Sequence, residues 1–163
     1  MEQRLITLKN GQIKAIYEYF AKLLNEDGKN AAFSYMLYKN VEILNERYTD
    51  IIAKMYDEKT DAEFQNFRNK GSELVAKYAD RNEQGEILLD TQGQPIINEM
   101  LAEFNTDREK LTEEFKPVLA NREQRISETI SMLETTYELN LYVTKIENMP
   151  NDTMPAIVGI FGI

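Results

Sequence analysis

Asp80, Asn82 and Gln84 set side-chain oxygens at alternate positions, Gly85 follows, and Ile87 stands just beyond. A calcium-binding loop uses this spacing to converge oxygens on a hard cation, with the glycine making the sharp turn. The closing position of such a loop needs a bidentate glutamate and is Thr91 here, and no second loop exists to pair with it. One carboxylate and two amides compensate poorly for dehydrating a divalent ion, so the stretch is assigned no metal. Carboxylates recur at Asp57, Glu58, Asp61 and Glu63 and again at Glu113 and Glu114. On a helix such spacing could hold a metal or pair an acid with a base. It is also what a solvated helix face shows between apolar positions.

Composition narrows the chemistry further. The chain has no cysteine and no histidine, which removes disulfides, thiolate nucleophiles, Cys/His zinc sites and imidazole acid–base work. A Glu-x-x-His di-iron arrangement cannot be assembled either. There is no glycine-rich phosphate loop, no serine elbow and no dinucleotide fingerprint. The expectation is a protein that is not an enzyme, with no catalytic residue and no cofactor. With 28 acidic against 19 basic residues, the net charge is -9 and Lys and Arg are scattered. Direct nucleic-acid binding, which needs a basic face to displace counterions, is therefore not expected. An acidic chain could instead imitate DNA and occupy an enzyme that binds it. No apolar run approaches the roughly 18 residues of a membrane span, and MEQRLITLKNGQIK lacks the apolar core of a signal peptide. The expectation is an intracellular protein with no membrane contact.

The elements follow from periodicity. Residues 1–163 have the length of one domain. Ile13, Ile16, Tyr17, Phe20 and Leu24 share one face, predicting a helix over about 11–26, after a short apolar stretch at Leu5–Leu8. Phe33, Leu37, Val41, Leu44, Tyr48, Ile51 and Met55 follow a near-heptad step, predicting a helix over about 31–56 whose seam needs a partner helix. A third helix is expected over about 61–79, weakened at Gly71. A long helical pattern covers about 97–137, with Arg108 at an apolar position of its seam and Pro117 marking a kink or break.

The segment of about 83–98 reads as a β-hairpin, with Gly85 and Gly93 in its turns and Pro95 forcing an edge position. ELNLYVTKI predicts a strand over about 139–146, the natural partner for that hairpin inside the chain. The uncharged tail at 156–163 is tucked into the core, paired as a strand, or docked on a partner. Nine tyrosines, several of them early (Tyr17, Tyr19, Tyr35, Tyr38), suit either an interface or a partly buried core.

LITLKNGQI near the start, SYMLYKNVEILNE, KYADRNEQGEILLDTQGQPIIN and YELNLYVTKIENM occur in one order. In this the chain resembles a family of small tailed-bacteriophage proteins of uncharacterised function. They share a Leu-x-Asn-Gly-Gln-Ile opening, a Ser-Tyr-x-Leu-x-Lys-Asn helix, a Lys-Tyr turn with two glycine-centred turns, and a late hydrophobic strand. The stretch from Glu58 to Ala76 stands outside the likeness. The resemblance implies a phage origin, carries no enzymatic role, and transfers no site.

The fold expected is mainly α: antiparallel, coiled-coil-like helices with a small β-hairpin insertion and a C-terminal β-strand. The function expected is a non-enzymatic phage protein working through protein–protein contacts, as a virion component or assembly factor. Its partners would be other phage proteins or a second copy of itself. Its place would be the host cytoplasm or the virion. The alternative is an inhibitor of a host defence enzyme, acting by occlusion or acidic mimicry. Contact residues are expected at Ile87, Leu88, Leu89, Ile96 and Ile97 on the hairpin, and at Ile157, Val158, Ile160 and Phe161 on the tail.

Overall fold

The computed structural model describes residues 2–163. The chain divides into two compact units: Met1–Met55 with Glu128–Ile163, and Tyr56–Ser127.

The first unit begins with strand β1 (Glu2–Lys9) and helices α1 (Asn10–Leu24) and α2 (Ala31–Lys54). It ends with strand β2 (Thr136–Val143), a single 3-10 turn at Ile146–Asn148 and helix α6 (Pro155–Phe161). β1 and β2 pair antiparallel along their whole length, Glu2 opposite Val143 and Lys9 opposite Thr136. Two expectations are corrected here. The C-terminal strand lies three residues earlier than about 139–146, and its partner is β1 instead of the hairpin. The physical reason is length: a full strand at Glu2–Lys9 offers a ladder over every residue of β2, whereas the hairpin segment is too short and too turned to do so.

α1 buries Ile13, Ile16, Phe20 and Leu23 against the face of α2 that buries Phe33, Leu37, Leu44 and Ile51. α2 thus packs its buried face on α1 within the chain. Asn30 caps α2, its side chain accepting from the Ala32 amide.

The tail is neither an edge strand nor free. It forms α6, opened by Pro155, and its Ile157 and Phe161 join the core, Phe161 meeting Phe20 edge-on at 5.1 Å. Beyond it, Gly162 makes a single parallel bridge to Thr144.

Two buried asparagines lock this unit. Asn40 donates to the Tyr142 carbonyl (2.9 Å) and accepts from its amide (2.8 Å), acting as a missing strand neighbour for β2. Asn10 donates to the Met132 carbonyl (2.7 Å) and accepts from Arg47 (3.1 Å), whose guanidinium lies 3.6 Å from the centroid of the Tyr137 ring. Without these partners the amides would be orphaned polar groups in an apolar setting.

The second unit holds α3 (Ala62–Tyr78), a two-turn connector, α4 (Leu101–Glu114) and the greater part of α5 (Lys116–Glu134). The expected helix over about 97–137 is therefore two helices. They meet at Phe115, and Pro117 sits in the first turn of α5, where a missing N–H costs nothing. α3 and α4 run antiparallel, Phe67 meeting Phe115 and Tyr78 meeting Phe104. Buried apolar residues here are few: Phe64, Tyr78, Ala79 and Phe115, and α4 buries none along its length. Among the described residues no helix is long and apolar enough to cross a membrane.

Candidate interaction surface

The side-chain oxygens of Asp80 and Asn82 accept hydrogen bonds from backbone amides. Both oxygens of Asp80 accept from amides, those of Asn98 (3.0 Å) and Glu99 (3.3 Å). Asn82 Oδ1 accepts from Gln84 (3.0 Å) and Glu86 (2.9 Å), and Asp90 Oδ1 accepts in the same way from Gln92 (2.8 Å) and Gln94 (2.9 Å). Each turn closes on a glycine in the left-handed region, Gly85 at φ 82° and Gly93 at φ 76°, where a Cβ would be strained.

The segment is also more than the expected hairpin. Only isolated bridges form, Arg81 to Ile87 and Leu89 to Pro95, but three backbones close a ring. Asp80 donates to Ile96, Ile96 to Leu88, and Leu88 to Asp80, at 2.8, 2.9 and 2.8 Å. The sequence carries the sign of this arrangement. Asn82-Glu-Gln-Gly-Glu recurs as Asp90-Thr-Gln-Gly-Gln eight residues later, and Asp80, Leu88 and Ile96 keep the same interval. Reading the glycines as separate turns misses that register.

The expected contact residues are placed very differently from one another. Leu88 and Leu89 are exposed, at 40% and 56%. Ile87, Ile96 and Ile97 are half-buried. On the tail, Ile157 and Phe161 are buried, while Val158 and Ile160 are partly buried and packed on the core of the first unit. The structure does not bring the two sets together on one unit.

What the hairpin residues do line is a groove. Ile87 and Pro95 border a cavity of about 630 Å³ walled by Phe67, Gly71, Leu74 and Val75 of α3 and by Phe104 and Leu111 of α4. Arg68 and Arg108 stand on the same walls, one from each helix. A Cβ added at Gly71 would meet nothing within 4 Å, so the groove is open at mid-helix. The opposite side of the α3–α4 pair is polar: Lys70 holds Glu114 at 2.7 Å and Lys77 reaches Asp107 at 3.3 Å. Tyr78 donates to Asp107 at 2.6 Å. That hydrogen bond, with Lys110 and Lys77 beside it, holds the Asp107 carboxyl down to about 2.

The acidic clusters are likewise structural. Asp57 accepts from the Lys59 amide, Glu58 is held by Arg122, and Asp61 caps α3 through the Phe64 amide. That backbone bond and the Tyr56 hydroxyl pull the Asp61 carboxyl below its usual value. Among the described residues, no group of three or more acidic side chains is placed to hold a metal ion. Of the early tyrosines, Tyr17 stacks on Tyr48 at 4.0 Å, whereas Tyr35 and Tyr38 are exposed.

Comparison with known proteins finds no matching family model, no matching curated protein and no matching solved structure.

Proposed function

We propose that this is a non-enzymatic bacteriophage protein that works through protein–protein contacts, as a virion component or an assembly factor. The phage origin rests on the motif resemblance. The contact role rests on one observation: the second unit leaves an apolar groove open between α3 and α4, with Leu88, Leu89, Met100 and Leu101 exposed nearby in sequence. The first unit, by contrast, closes a core of fourteen buried residues. A short domain that leaves its best apolar surface uncovered is built to bury it against something else. The coiled-coil-like character expected of the helices enters here for α4. Phe104, Arg108 and Leu111 of its seam line the groove beside α3, and Leu101 is exposed.

A second reading, inhibition of a host enzyme by acidic mimicry, is favoured by charge. The second unit carries sixteen acidic and ten basic residues, a net charge of -6 out of the -9 of the chain. One experiment separates the two. Affinity capture of the tagged chain from phage-infected cells, with mass spectrometry of purified particles, should find the protein in fixed ratio to a phage component. Absence from particles together with a captured host enzyme would favour inhibition. Monomeric recovery with no phage protein would remove the contact role.

A further inference from the structure

The groove has a charge pattern that restricts what can fill it. In the second unit, Lys70, Lys77, Lys110, Lys116, Arg122 and Arg125 each hold a carboxylate. Arg68 and Arg108 hold none among the described residues, although the unit has six more acidic than basic side chains. Arg108 instead lies over the Phe104 ring at 5.8 Å. Lys59 and Arg81, which also have no ion pair among the described residues, do not line the groove, and Arg81 donates to the Gly85 and Ala76 carbonyls. Arg68 and Arg108 thus border an apolar cavity that no carboxylate lines.

Resting on the contact-protein reading, we propose that the groove receives an amphipathic helix of a partner protein, apolar on one face and acidic along its edges. The groove runs from Phe67 to Ala76 along α3, about 15 Å at 1.5 Å per residue. That length takes three apolar anchors at i, i+4 and i+7, the usual helix-in-groove mode. The open position at Gly71 admits the middle anchor. Lys70 faces Glu114 and Lys77 faces Asp107 across the antiparallel pair, which sets Arg68 at the Phe67 end of the groove and Arg108 toward its Ala76 end, so a carboxylate toward each end of the incoming helix would meet one. A second copy of this chain does not fit the same way. In groove-on-groove pairing about a two-fold axis, the patch meets itself, and its only charges are arginines.

The test is selection of helical peptides from a random display library against the full-length chain, with affinities then measured for synthetic versions. The expected winners carry apolar residues at i, i+4 and i+7 flanked by Asp or Glu. Gly71→Leu, whose Cβ meets nothing within 4 Å and whose side chain occupies the middle of the groove, should weaken them at least tenfold while the circular dichroism is unchanged. The paired reversal Arg68→Glu with Arg108→Glu should switch the selected flanking residues to Lys and Arg, a gain that misfolding cannot produce. The proposal is overturned by three results. These are no enrichment, winners whose flanking charges ignore the reversal, or a dimer in sedimentation that Gly71→Leu dissolves. If capture from infected cells works equally well with Gly71→Leu, the contact role stands and the groove assignment falls.

Discussion

Asn40 shows how a single polar side chain can fix a fold. It is fully buried, and its amide completes both hydrogen bonds of the Tyr142 backbone. Truncation to alanine leaves that N–H and C=O without partners, so Asn40→Ala should cost about 2–3 kcal/mol in urea unfolding of the first unit. Asn40→Asp sets a buried carboxylate oxygen against the Tyr142 carbonyl and should cost at least as much at pH 7. Asp107 makes a prediction of the opposite kind, reversible with acid. Its folded pKa of about 2 lies below its ordinary 3.8. The stabilisation is therefore present above pH 4 and lost as the pH falls toward 2. Asp107→Asn should lower the melting temperature at pH 7, and the difference from the native chain should shrink from pH 4 downward and vanish only below pH 2. An undiminished difference at pH 2 would mean that the Tyr78 contact acts without the charge.

Among the elements, glycine separates two roles that composition alone cannot. Gly71 lies inside α3 with ordinary helical backbone and open space around it, so Gly71→Ala should stabilise α3 by about 1 kcal/mol. Gly85 and Gly93 sit at φ 82° and 76°, so the same change there should destabilise the connector by about 1–2 kcal/mol. Denaturation followed in the second unit checks both signs. Removing Gln84–Gln94 takes away Leu88, hence the backbone ring, and Ile87, hence one border of the groove. The expected outcome is far-UV circular dichroism close to that of the full chain with partner capture lost. A collapse of helicity would place the connector in the core of its unit. The helices themselves were legible: periodicity placed α1, α2 and α3 within two residues at each end. The break in the long C-terminal pattern was legible too, because proline is tolerated only in a first turn. The role of β1 was not, because LITLKN alternates too briefly to say which strand it would find.

At the scale of the molecule, the two units differ in how they are held together. All fourteen residues of the buried core cluster belong to the first unit, while the second relies on four buried apolar residues, ring contacts and ion pairs. Hydrogen exchange should therefore release the amides of α4 well before those of α1 and α2, since local stability follows buried apolar contact. Binding a helix in the groove should slow α4 selectively. The helical periods, the turn residues, the acidic charge and the exclusion of cysteine and imidazole chemistry are all legible in the chain, because each is a property of residue types at short range. The sequence also carried the eight-residue repeat of the connector. The inward fold of the tail as α6, the pairing of β2 with β1 and the division into two units emerge from the folded chain alone. Only the fold could set Arg68 and Arg108 on one groove. Those outcomes depend on which apolar faces meet across long stretches of chain, and local pattern cannot rank such pairings.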